Sequence, residues 1–105
     1  MPTAIEAFDK LVRALSKEDG VTSGQMFGKA CLKVNGKAFI AQHHDAVIFK
    51  LNGESHGKAV RLSDAVLWDP SGKGRPMKEW VALGPDHVKE FLALTKAALK
   101  YVGAA

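Results

Sequence analysis

Three groups of residues have types that could do chemistry. Cys31 sits between Lys29 and Lys33, which share its side of an extended chain. Nearby cations lower a thiol pKa and raise the thiolate fraction, as a nucleophile requires. A nucleophile also wants a positioned base, and His43 or His44 would have to supply it. The ordinary reading is a buried or interface thiol. His43, His44, His56 and His87 are all the histidines. Adjacent histidines on a strand point to opposite sides, and no Cys-x-x-Cys or His-x-x-x-His spacing occurs, so no metal site is expected. Carboxylates are scattered, with no pair spaced for acid–base work, and no cofactor is called for. The third group is the loop Gly72-Lys73-Gly74-Arg75-Pro76-Met77-Lys78, with three cations and no acid. Glycines let a backbone approach an anion closely, and Lys and Arg add charge-assisted donors. Lys73, Arg75 and Lys78 are therefore candidate anion or nucleotide contacts. The loop is not a Walker A sequence, because no Ser or Thr follows Lys73 and a strand is expected after it. Its plainer reading is a solvated turn.

A further set of cations lies on helices. Lys10, Arg13 and Lys17 fall opposite the apolar stripe of a first helix. Lys89, Lys96 and Lys100 do the same on a last one. If the helices lie side by side, the stripes join into a positive face able to contact nucleic acid weakly and without sequence preference. The alternative is the solvated side of two amphipathic helices. No helix-turn-helix, zinc-finger or aromatic RNA-binding signature is present.

The elements that position these residues follow from periodicity. Residues 1–105 are short enough for a single domain. Hydrophobic residues make up 47% and charged residues 25%, which excludes a disordered chain. One cysteine excludes an internal disulfide and fits a reducing cytoplasm. No basic region precedes an apolar run, so no signal peptide is expected. No apolar stretch approaches the roughly 20 residues that span a bilayer.

Thr3 and Glu6 form a capping-box pattern ahead of a helix over about 4–17, with an apolar stripe of Ile5, Phe8, Leu11, Val12 and Leu15. Val34-Asn35-Gly36-Lys37 signals a hairpin between two strands, with Leu32 facing Phe39 and Cys31 facing Ile40. A third strand covers 47–51. A weak helix follows over 54–62, then strands at 65–68 and 78–83. Pro85 opens a last helix with the stripe Val88, Phe91, Leu92, Thr95, Ala98, Leu99 and Val102. The expected order is α-β-β-β-(α)-β-β-α. This is an α+β fold of two layers, a five-stranded antiparallel sheet with helices on one face.

Alternation along the strands assigns Ala30, Leu32, Val34, Phe39, Val47, Phe49 and Leu51 to the core beneath the helices. Lys29, Cys31, Lys33, Ala38, Ile40, Ile48 and Lys50 fall on the opposite face. That face is too apolar for ordinary solvation. Cys31, Ala38, Ile40 and Ile48 are therefore expected to form an apolar strip that buries itself in a homodimer. The alternative is scattered apolar residues on a monomer surface. Trp68 and Trp80 are expected to pack in a core or interface.

Met26-Phe27-Gly28, then Val34-Asn35-Gly36-Lys37 with Phe39, then Gly74-Arg75-Pro76-Met77-Lys78-Glu79-Trp80 form an ordered set. In this order and spacing the set resembles the N-terminal domain of the TfoX/Sxy competence regulators and their stand-alone relatives, over about residues 8–102. The resemblance implies a two-layer fold similar to secretion chaperones and a link to transcriptional control of DNA uptake. It implies no catalytic residues, and a partner in the transcription machinery. The matching positions Phe27, Gly28, Asn35, Gly36, Phe39, Gly74, Arg75, Pro76, Met77 and Trp80 have a mainly structural look. The reading that follows is a non-catalytic regulatory interaction domain, with a small-anion or nucleotide module built on residues 72–78 as the alternative.

Overall fold

The computed structural model describes residues 3–104. Helix α1 (Ala4–Ala14) opens on the expected box: the Glu6 amide donates to the Thr3 hydroxyl at 3.2 Å, and the Thr3 amide to the Glu6 carboxylate at 3.1 Å. It ends before Lys17. Its buried side is Ala4, Ala7, Phe8 and Leu11, continued by Leu15, while Ile5 is 59% exposed. Two alanines let the helix lie close to the sheet, and that rotates Ile5 outward.

Strands β1 (Val21–Met26), β2 (Lys29–Val34), β3 (Lys37–His43) and β4 (Ala46–Lys50) make an antiparallel meander. Helix α2 (Gly53–Val60), strand β5 (Val66–Trp68) and strand β6 (Met77–Leu83) follow. A short 3-10 turn (Pro85–His87) leads into α3 (Val88–Gly103). The sheet is antiparallel with the order β1-β2-β3-β4-β6-β5, so it has six strands and not five. The added strand is β1. Its residues Val21-Thr22-Ser23-Gly24-Gln25-Met26 form an outer strand in which no residue is fully buried, so it carries little apolar alternation to read.

All three helices contribute buried residues to one core with Leu32, Val34, Phe39, Ile40, Val47, Phe49, Val81 and Leu83. Phe39 and Ile40 are neighbours in sequence, yet both are fully buried on this helix side. The cause is a β-bulge. The pairs Lys33–Ala38 and Leu32–Ile40 are consecutive, so Phe39 is an extra residue in β3. Leu32 therefore faces Ile40, and Cys31 faces Ala41. Ile40 does not belong to the outer face expected for it. Ala30, expected in the core, is exposed opposite Gln25. In α3 the buried residues are Phe91, Leu94, Thr95, Ala98 and Val102, and Leu92 is exposed.

A second, smaller core lies on the helix-free side: Cys31, Ala41, Ile48, Trp68, Trp80 and Ala82, flanked by Met26, Ala38, Ala46 and Met77. Its cover comes from the chain itself. The pairs Leu67–Val81 and Trp68–Met77 leave three residues of β6, Lys78 to Trp80, unmatched. Past Leu67 the chain leaves the sheet register, and residues 68–77 arch over this face. Among the described residues no helix is long and apolar enough to cross a membrane.

Candidate functional site

Trp68 is the keystone of the arch. Its ring packs on Trp80 at 5.6 Å between centroids, and it is buried. Its indole N–H donates to His43 Nδ1 at 3.1 Å. An indole nitrogen can only donate, so His43 must be the neutral tautomer with its proton on Nε2. Burial, then the neighbouring His44 and Lys29, hold the His43 pKa below the ordinary range.

His43 and His44 do not point to opposite sides. Their rings stack at 4.0 Å, because His44 occupies the β3–β4 turn at φ 53°. The β1–β2 turn lies at the same end of the sheet and is formed by Phe27 (φ 54°) and Gly28 (φ 75°). Two positive φ values suit Asn-Gly, as at Asn35-Gly36 in the next hairpin. A bulky phenylalanine there is an outlier that its surroundings must hold in place. Phe27 is 64% exposed, and its ring meets the edge of Trp68 at 6.1 Å. It thus presents an aromatic ring to solvent at a backbone cost.

The arch itself is ordered from within. The Asp69 carboxylate accepts from the Ser71 hydroxyl at 2.7 Å and from the amides of Gly72, Gly74 and Arg75 at 3.1, 2.8 and 3.1 Å. These bonds, the Ser71 hydroxyl first, hold the Asp69 pKa below the usual carboxylate range. The loop has the backbone cradle expected from its glycines, but its own carboxylate fills it. An external anion can meet only the side chains.

Two concavities flank the arch. One, about 510 Å³, has Ile48 and Ala82 as its floor and His43, His44 and Trp68 among its walls. The other, about 320 Å³, lies between the hairpin tip and the arch and is lined by Phe27, Pro70, Ser71, Arg75 and Met77. Among the described residues Arg75 is the only Lys or Arg lining either.

The expected cation set does not converge. Lys73 and Arg75 belong to the arch. Lys78 lies in β6, its carbonyl oxygen 2.8 Å from the His56 ring. Lys89, Lys96 and Lys100 are exposed on α3, across the sheet from the arch. Lys10 and Arg13 are exposed on α1, which packs beside α3, and Lys17 follows the helix end. The expected dimer strip is not a surface either. Cys31 and Ile48 are buried by the arch, Ile40 lies under the helices, and only Ala38 keeps partial exposure. Burial pushes the Cys31 thiol pKa up, outweighing Lys33, so the flanking lysines do not activate it. Among the described residues no cluster of three metal-ligating side chains occurs.

Two signals in the sequence could have marked the site. Phe-Gly stands where a tight hairpin turn wants Asn-Gly. Asp69 also stands just ahead of a glycine-rich loop that needs an internal acceptor.

No family model matches the chain, and no curated protein or solved structure does so either.

Proposed function

We propose that the chain is a non-catalytic interaction domain that resembles the N-terminal domain of the TfoX/Sxy regulators. It acts in the cytoplasm, in transcriptional control, by contacting a protein partner through the aromatic hairpin tip and the arch beside it. Its two-layer fold is then similar to that of secretion chaperones. The observation that carries it is Phe27: a bulky ring kept exposed, in a left-handed conformation, against Trp68. Strain of this kind concentrates at sites that bind. A few large anchors, aromatic ones among them, carry most of the energy of a protein contact.

The perturbed titratable groups support a binding role over a catalytic one. Glu6 caps a helix, Asp69 orders the arch, and His43 accepts from Trp68. The Tyr101 hydroxyl donates to Glu79, which raises the tyrosine pKa, and Cys31 is sealed. Each shift has a structural cause.

The test is affinity capture from the native cell extract with wild type and Phe27→Asn side by side. Asparagine suits the turn better than phenylalanine, so the variant keeps the fold and loses the ring. A protein retained by wild type and lost by the variant supports the reading. An identical set from both removes it. If neither retains a protein, and mixed-sequence duplex binds in a salt-sensitive manner that Lys96→Glu with Lys100→Glu abolishes, the helix face replaces the hairpin tip as the functional surface.

A further inference from the structure

The 320 Å³ concavity has a composition that specifies more than an apolar contact. Phe27, Pro70 and Met77 give it apolar walls, and Arg75 supplies one guanidinium. The arch fixes where Arg75 starts, since its own amide is bound to Asp69 at 3.1 Å. Among the described residues the one ion pair within 4.0 Å is Lys50 with Glu79, so the Arg75 head has no carboxylate partner in the fold. An unpaired guanidinium favours a planar anion that can accept two parallel N–H bonds, and an aromatic ring lines the same concavity.

The same geometry limits the charge. The amides of Gly72, Gly74 and Arg75 are committed to Asp69, whose carboxylate is part of the arch. A phosphate dianion would find one cation and no free backbone cradle, with a carboxylate close by. A monoanion meets one cation and is matched. The volume sits at the low end for small-molecule sites.

We propose that the concavity between the hairpin tip and the arch binds a small amphipathic carboxylate. An aryl or short aliphatic body lies against Phe27, Pro70 and Met77, and the carboxylate pairs with Arg75. The inference goes beyond the interaction reading and stands without it. The ligand bridges two segments far apart in sequence, so its binding would stiffen the surface offered to a partner.

The test is a thermal-unfolding series with benzoate, indole-3-acetate and hexanoate, their neutral amides, and AMP, each at about 10 mM. At least one carboxylate raises Tm by about 5 °C, its amide does not, and AMP does not. Arg75→Gln lies on the surface and folds normally. It weakens the carboxylate about tenfold or more, which removes the shift. Phe27→Asn still folds cooperatively, and its own Tm no longer rises with the carboxylate. The proposal is overturned if no carboxylate raises Tm, if the amides act equally, if AMP matches them, or if either variant still responds. Partner capture is scored separately without added carboxylate, so the two readings can fail independently.

Discussion

Phe27 and Trp68 belong to opposite margins of a six-stranded sheet, yet their rings meet at 6.1 Å. Five strand spacings in a flat sheet would separate the margins by about 24 Å. The sheet therefore curls over its helix-free side. The irregular pairing of β5 with β6 completes the closure by letting Trp68 leave the plane. An antiparallel sheet with one bare face has become a sheet with two cores.

The contact sets a balance at position 27. Losing the edge-to-face pair with Trp68 costs about 0.5–1.5 kcal/mol. Relief of the left-handed backbone on substitution by asparagine returns about 1 kcal/mol or more. Phe27→Asn is thus expected to leave the unfolding free energy, measured by urea titration, within about 1 kcal/mol of wild type. Phe27→Val, β-branched at positive φ, is expected to fall clearly below both.

The arch depends on one carboxylate. Asp69→Ala removes four acceptor contacts and frees residues 70–76. Trypsin should then cut after Lys73 faster than in wild type, by about tenfold or more. The bond after Arg75 stays resistant because Pro76 follows it. The pKa of Asp69 is lowered in the fold, so its contribution is present above the unfolded carboxylate range and fades as pH falls through the folded value. Wild type should become cleavable after Lys73 under such acidic conditions, with a protease active there and specific for the same bond.

His43 gives a second pH effect at a higher range. Its folded pKa is lowered, so the unfolded chain takes up a proton first as pH falls. Stability is then complete above about 6.5 and declines below it, toward the folded value. Protonation puts a hydrogen on Nδ1, where the Trp68 N–H already points. Tryptophan fluorescence of the folded protein should change as pH falls through that lower folded value. His43→Asn accepts from the indole without titrating, and the change should vanish.

Two adjacent buried residues test the bulge. Phe39→Ala is expected to cost about 3–5 kcal/mol and Ile40→Ala about 2–5 kcal/mol by chemical unfolding. In a regular strand one of the two would face the other way, into the tighter space beside Cys31. If one substitution proves cheap, the Lys33–Ala38 and Leu32–Ile40 pairing is wrong.

The Cys31 thiol should label slowly in the native state. It is buried and its pKa is raised, so reagent and thiolate are both scarce. Native modification should be more than about 100-fold slower than in denaturant. Asp69→Ala should speed it, because the arch is part of what covers the cysteine.

Where local chemistry decides, the sequence was legible. Thr3 with Glu6, Asn35-Gly36 and Pro85 marked a helix start, a hairpin and the turn before α3. Five of the six strands and three helices followed from turn signals and periodicity, with ends shifted by a few residues. Long-range causes stayed hidden. Strand β1 is defined by pairing with β2 and not by its own pattern. The Phe39 bulge removes the alternation that assigned Ile40 to the wrong face. The stacked histidines depend on one backbone angle at His44. The site is half visible: the type and spacing of Arg75 and the glycines suggest a cradle, but the acceptor that fills it lies at Asp69. Phe27 is legible as part of a pattern, while its strain comes from a backbone angle that only the fold sets.

The extra residue in β3 also has an evolutionary consequence. Most surface turns absorb a lost or gained residue with little change. A deletion at Phe39 would leave Lys33–Ala38, Leu32–Ile40 and Cys31–Ala41 in plain alternation, each residue on its present face. It would remove only a fully buried ring from the core beneath the helices. In the middle of a paired strand, this lineage could therefore gain or shed one residue without turning its neighbours over. Descendants that lack the ring should carry a larger side chain elsewhere in the core to fill the space it leaves.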